Sequence, residues 1–173
     1  MENYIEQTIL SIINQSFQDF EIIIVNDNSK DETKNIIKKM QLKDNRIKLI
    51  NHHIQKGCYY SRIEAILKAK GNYIILMDPD DLYLNGNLFQ ELYQYNLKVN
   101  LDIIEFIVFY KYDWEKNIFF PPTHYESHLH NFSDNIINQP NLSEILFKEP
   151  NNESYTHTIC RNVWNKMIRK KII

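Results

Sequence analysis

At 173 residues, with 43% hydrophobic and 24% charged content, the chain has the size and composition of one soluble globular domain with a real core. Its 20 basic and 22 acidic side chains leave a net charge of −2, so it carries no electrostatic footprint for nucleic acid or an anionic membrane. No apolar run approaches the about 18 residues of a membrane span, and three glycines and five prolines are too few for a linker or a disordered tail. The opening residues do not read as a signal peptide. Cys58 and Cys160 lie far apart without metal-type spacing, as free thiols of a reducing compartment do, so a cytoplasmic location is expected.

Ile5, Ile9, Ile12 and Ile13 recur at helical spacing and predict an amphipathic helix over about residues 3–15. Phe20 to Val25 reads as a buried strand. Ser29-Lys30-Asp31-Glu32 has the form of a capping box, opening a helix to about Met40. Arg46 to Ile50 is a short strand. A helix from about Tyr59 to Lys70 carries Ile63, Ile66 and Leu67 on one face and stops at Gly71. Tyr73 to Met77 reads as a strand buried on both faces, followed by a helix from about Asn87 to Lys98 and an apolar strand near Ile103–Tyr110. Residues 113–140, with Pro121-Pro122, read as irregular, and short helices are expected near 142–148 and 160–170.

Strands alternating with helices through short connections define an α/β domain with a doubly wound, mostly parallel sheet and helices on both faces. Such domains ordinarily open on a strand, whereas this chain opens on a helix. The expectation is therefore a first strand missing ahead of it.

The chemistry concentrates where strands end. Tyr73–Met77 runs directly into Asp78-Pro79-Asp80-Asp81. Proline has no N–H to continue a ladder, and crowded carboxylates repel unless a cation neutralises them, for which hard divalent ions are suited. The carboxyl ends of strands are also where ligands sit in open α/β sheets. The plainer alternative is a solvated Asp-Pro turn. Two further loops carry polar candidates: Asn26-Asp27-Asn28-Ser29, and Lys56-Gly57-Cys58-Tyr59-Tyr60-Ser61-Arg62 leading into Glu64-Ala65.

In this order and spacing, over roughly residues 2–100, the three loops together with the segment Ser11 to Val25 resemble the family 2 glycosyltransferases of the GT-A fold. The resemblance implies a roll of functions. Asp27 matches the carboxylate that accepts from a nucleotide base, most often uracil. Asn26 replaces the first acid of the usual pair, and Asn28 stands where glycine is common, a place asparagine tolerates in left-handed backbone. Arg62 matches an arginine near the nucleotide phosphates, although Ser61 and Ile63 depart from its usual flanks. Asp78 and Asp80 match the Asp-x-Asp pair, the first near the ribose and the second binding Mn²⁺ or Mg²⁺. Asp81 is a candidate to orient that loop.

The implied activity is transfer of a sugar from a nucleotide-diphospho-sugar donor, with a uridine diphosphate sugar expected, to a glycan or other hydroxyl acceptor, with inversion. Residues 1–112 then form the nucleotide-sugar half of a single partial domain and 113–173 a partial acceptor side, with membrane attachment in a longer form left open. Trp164-Asn165-Lys166 resembles a segment of enzymes that build surface polysaccharides. Asn165 and Lys166 are candidates to face the acceptor, although Val163, Trp164, Met167 and Ile168 at helical spacing look like core. No residue matches the general base: Glu144, Glu149 and Glu153 lie in the wrong context. Two other readings stand beside this one, a catalytically inactive nucleotide-sugar binder and a phosphate-handling receiver or phosphatase. The phosphatase pattern wants Thr or Val where Leu82 stands. A zinc site at His124, His128 and His130, and a sugar-stacking role for the aromatics of 106–120, are weaker candidates.

Overall fold

A computed structural model describes residues 1–105, 111–113, 118–120 and 166–173. Helix α1 spans Ile5–Ile13 and buries Ile5, Thr8 and Ile9. Strand β1 (Ile22–Asn26) pairs in parallel with β2 (Ile47–Asn51), Ile22 against Ile47 through to Asn26 against Asn51. Between them, helix α2 (Thr33–Lys43) makes the crossover. Helix α3 covers Cys58–Lys68, β3 Tyr73–Ile75, α4 Leu88–Val99 and β4 Ile103–Glu105. A short antiparallel pair, β5 (Lys111–Asp113) and β6 (Ile118–Phe120), follows. Strand β7 (Lys166–Arg169) lies between β3 and β4 and runs antiparallel to both, so β3 and β4 share one direction.

Several boundaries differ from the sequence reading, each for a physical reason. The capping box does not form. Glu32 is the N-cap and makes no side-chain cap bond; Asp31 Oδ1 accepts from the Thr33 N–H at 3.2 Å and Glu2 Oε2 from the Glu32 N–H at 2.9 Å. A nearer acid and a tertiary one have displaced Ser29. Helix α3 ends at Lys68, and beyond Ala69, whose amide still bonds back into the helix, the amides have another partner: Lys70 and Gly71 donate to Glu21 Oε1, at 2.5 and 3.2 Å. Strand β3 ends at Ile75, where its pairing with Met167 ends. Of its residues only Ile74 is buried, so the strand is not covered on both faces as the sequence suggests.

The largest correction concerns the chain's end. Residues 160–170 read as a helix, but Lys166–Arg169 is the middle strand of a three-stranded ladder. Lys166, Met167 and Ile168 are all buried, and a short run without polar alternation has no period to distinguish strand from helix. Lys166, only 1% exposed, is therefore not presented to an acceptor. Trp164 and Asn165, the expected helix at 142–148, the three histidines and the glutamates 144, 149 and 153 lie outside the described residues.

Two apolar clusters hold these elements. Ile5, Ile9, Ile22, Ile37, Met40 and Ile47 form one, under α1, α2, β1 and β2. Leu92, Ile104 and Met167 form the other, between α4 and the second ladder. Gln15, 1% exposed, joins the two regions. Its Nε2 donates to the Asn85 carbonyl at 2.9 Å and its Oε1 accepts from the Phe89 N–H at 3.2 Å, while the Ser16 N–H donates to the Gly86 carbonyl at 2.7 Å. Gln15→Ala removes these side-chain bonds, and a third from Nε2 to the Ser11 carbonyl at 3.2 Å, and leaves their partners unmatched. It is expected to cost about 1–3 kcal/mol in chemical denaturation; an unchanged midpoint would remove this linking role.

Candidate functional site

Asp27 leaves the end of β1 in a loop that its neighbours fix. Asn26 is buried; its Nδ2 donates to Asn51 Oδ1 at 2.7 Å and its Oδ1 accepts from the Ser29 N–H at 3.3 Å. The residue that departs from the family's acid pair thus ties β1 to β2. Asn28 adopts the left-handed conformation with φ 61°, as asparagine allows.

The Asp27 carboxylate then reaches across to the loop after β2. Its Oδ1 accepts from the Lys56 N–H at 2.8 Å and its Oδ2 from the Gly57 N–H at 2.7 Å. Gly57, at φ 91° and ψ 162°, occupies a region open essentially to glycine alone. A β-carbon there would meet nothing within 4 Å among the described residues, so the constraint is backbone conformation and not space.

His52 completes this corner. It follows β2, is 5% exposed, and its backbone N–H donates to the Asn26 carbonyl at 2.9 Å. Its Nδ1 lies 2.7 Å from Asp27 Oδ1 and its Nε2 2.7 Å from Glu64 Oε2 on α3. Lys56 Nζ stands 3.5 Å from the same Glu64 oxygen. The contact with His52, then the amide of Lys56, hold Asp27 below the usual carboxylate range. His52 likewise lowers Glu64. Asp27 first and Glu64 second raise His52 above the ordinary imidazole value.

Farther along α3, Arg62 Nη2 pairs with Asp78 Oδ1 at 2.5 Å. A cation in the first half of a helix opposes the helix dipole, and Asp78 supplies the compensating charge. Helix α1 pins the acidic loop from its other side: Thr8 Oγ1 donates to the Pro79 carbonyl at 2.9 Å and Ser11 Oγ accepts from the Tyr83 N–H at 3.1 Å. Burial, then the charges of Asp78 and Asp80, push the Asp81 carboxyl up. Asp80 itself is exposed.

Helix α3 therefore connects the predicted residues. Its N-terminal approach holds Asp27, and its second turn holds Asp78 through Arg62, with Asp80 in the same loop as Asp78. Among the described residues no group of three or more His, Cys, Asp or Glu side chains is placed to hold a metal by itself. Such a cage is not required for Mg²⁺-type ions, which are commonly held by one or two carboxylates and completed by substrate phosphates and water. The oxygen donors of the acidic loop fit that chemistry. Cys58 is a free, exposed thiol at the first position of α3.

His52 and Glu64 were not singled out by the sequence. The available signal was a histidine at the end of a parallel strand, beside a strand ending in Asp27, which places the two on one edge.

The α/β fold, with its acidic loops at strand ends laced to one helix, is GT-A-like. The glycosyl transferase family 2 model matches residues 2–173, and the chain belongs to that family. A Campylobacter jejuni GalNAc(5)-diNAcBac-PP-undecaprenol beta-1,3-glucosyltransferase is 38% identical over 85 residues, 49% of this chain and 28% of that protein. The Escherichia coli UDP-Glc:alpha-D-GlcNAc-diphosphoundecaprenol beta-1,3-glucosyltransferase WfgD is 31% identical over 87 residues, 50% of this chain and 34% of that protein. The crystal structure of S. aureus TarS 1–349 in complex with UDP superposes with a TM-score of 0.55 at 27% identity, covering 59% of this chain and 30% of that one. The chain thus spans about a third or less of the length of these relatives. Among the described residues no helix is long and apolar enough to cross a membrane.

Proposed function

We propose that the chain forms the donor side of an inverting glycosyltransferase that takes a sugar from a uridine diphosphate sugar and passes it to the hydroxyl of a glycan or related acceptor. The observation that carries the reading is the state of Asp27. A carboxylate has about four acceptor positions. Oδ1 uses two, for His52 and the Lys56 amide, and Oδ2 uses one, for Gly57. Among the described residues nothing else donates to Oδ2, which leaves one position on a side chain 19% exposed. It suits a single N–H donor such as N3–H of uracil. Cytosine presents a lone pair at the same place and is disfavoured.

The remaining assignments follow the same edge. Arg62 neutralises phosphate charge, and Asp78, to which it is paired, lies towards the ribose. Asp80, exposed in the same loop, is the ligand for Mn²⁺ or Mg²⁺, which as a Lewis acid would stabilise the departing diphosphate. Support for a uridine nucleotide comes from the TarS complex with UDP and from the donor in the name of the E. coli relative. An undecaprenol-linked saccharide is the acceptor class that both curated relatives' names suggest.

Calorimetry with UDP tests the reading. Mn²⁺ is expected to strengthen binding to the wild type relative to EDTA, and Asp80→Asn to abolish that difference, since an amide is a poor ligand for a hard cation. Asp27→Ala is expected to lower UDP affinity about tenfold to a hundredfold, the worth of a hydrogen bond to a charged group, and to bring UDP and CDP to parity. Equal affinities with EDTA and Mn²⁺ would overturn the metal assignment. Undiminished preference for UDP in Asp27→Ala would overturn that of the base.

A further inference from the structure

We propose that His52 is a positioning residue of the donor site: as a doubly donating imidazolium it holds Asp27 and Glu64 together, so that nucleotide binding weakens as pH rises and His52 loses its second proton. The proposal rests on Asp27 contacting the nucleotide base, and adds to it a residue and a regulation by pH.

With both carboxylates ionised, the geometry favours the doubly protonated ring. Both ring nitrogens lie 2.7 Å from carboxylate oxygens, Nδ1 from Asp27 and Nε2 from Glu64. Ionised carboxylates only accept, whereas a neutral imidazole has one N–H and one lone pair. A neutral ring would therefore set a lone pair against one of the two acids. The ring is buried, so water has little access to intervene.

The charges around it favour the imidazolium. Asp27 faces it from the end of β1 and Glu64 from α3, and both raise its pKa; burial and the ammonium of Lys56, from its own loop, act in the opposite sense. The balance lies upward, so the stabilisation is complete below the ordinary imidazole value of about 6.5 and is lost as pH rises through the higher folded value. Asp27 and Glu64 are shifted downward and lose their contribution only in acid. The sensitive window is thus the neutral to mildly alkaline range.

Loss of that proton bears on the nucleotide through the backbone. His52 lies a few residues before Lys56 and Gly57, whose amides grip Asp27, and Glu64 sits in the helix they open. With the ring neutral, Asp27 or Glu64 loses its donor, and the loop from 52 to 57 is no longer held against both β1 and α3. Asp27 then spends time away from the orientation that leaves its free acceptor position towards the base. His52 does not touch the nucleotide in this scheme.

The test measures UDP affinity, with Mn²⁺ present, from about pH 6 to about pH 9 in the wild type, His52→Gln and Glu64→Gln, the range over which a raised histidine titrates. His52→Gln is expected to bind about threefold to tenfold more weakly at the acid end, the cost of one or two charged hydrogen bonds acting indirectly, and to match the wild type at the alkaline end. Taking the ratio of the two affinities cancels the ionisation of UDP itself. Glu64→Gln is expected to shift the transition to lower pH while retaining the preference for UDP over CDP. NMR of ¹⁵N-labelled imidazole is expected to show both His52 N–H protons at neutral pH, titrating with the affinity; it needs no variant to fold. A pH-independent ratio, or a single-tautomer neutral His52 at neutral pH, would overturn the proposal. Equal binding of UDP and CDP to the wild type would sink the base contact and this proposal together. A UDP preference that disappears in Asp27→Ala, beside a His52→Gln profile identical to the wild type, would sink the His52 proposal alone.

Discussion

Gly57→Ala is expected to damage either stability or donor binding. At φ 91° and ψ 162° the backbone is in territory that an L side chain enters at a cost of about 1–3 kcal/mol. Among the described residues nothing lies within 4 Å of an added β-carbon, so the expected cost is conformational. The chain can bear that strain or relax it by turning the peptide units at 56 and 57, whose amides both bind Asp27. Relaxation saves stability at the expense of the site. The expected result is a loss of about 1–3 kcal/mol in chemical denaturation where the strain is retained, or a UDP affinity about tenfold or more weaker where it is relieved, the worth of a hydrogen bond to a charged group. A variant with wild-type stability and wild-type affinity would show that Gly57 has no such role. Asn substituted for Gly57 gains little, because the left-handed region that asparagine tolerates centres on a ψ of about 30–60°, far from the 162° found here.

What the sequence made legible was what repeats or ends abruptly. Ile5 and Ile9 announce the buried face of α1, and the isoleucine run before Asn26 announces β1. The acids at 78, 80 and 81 stand out because they terminate an apolar run. Gly57 is a lone glycine just ahead of a helix, and its positive φ accords with that position.

The parts that stayed hidden depend on partners distant in the chain. Lys166–Arg169 forms a strand because β3 and β4 offer edges on both sides of it. Nothing within the four residues encodes those edges, and a buried lysine argues against a core position in any local reading. Ser29 reads as a cap, yet Asp31 and Glu2 supply the acceptors. His52 lacks meaning until the parallel pairing of β1 and β2 sets it beside Asp27. Asn26 looks like a weakened acid in a motif, and becomes intelligible only when its register partner is seen to be Asn51. Local pattern marks elements and loop chemistry; pairing decides which side chains meet.

Ile37→Ala is expected to produce the largest loss of stability, with little change in nucleotide affinity. Ile37 is 1% exposed on α2 and belongs to the cluster with Ile5, Ile9, Ile22, Met40 and Ile47. Truncating a buried isoleucine to alanine removes transfer free energy and leaves a cavity that rigid neighbours only partly fill, about 2–5 kcal/mol in all. Against a domain stability of about 5–15 kcal/mol, that is a large share. The loss bears on the site indirectly. α2 makes the crossover that sets β1 beside β2, and this pairing sets Asp27 beside His52. Where the variant is folded the register is intact, so UDP should bind with nearly wild-type affinity while the fraction folded falls. Ile37→Val should lose only about 0.5–1.5 kcal/mol. Leu42→Ala, on the same helix but 90% exposed, should stay within about 0.5 kcal/mol of the wild type. Urea denaturation of the three variants, with UDP titration under folding conditions, checks the series. An Ile37→Ala loss no greater than that of Leu42→Ala would mean that α2 does not pack on β1 and β2 as described, and the placement of Asp27 would fall with it.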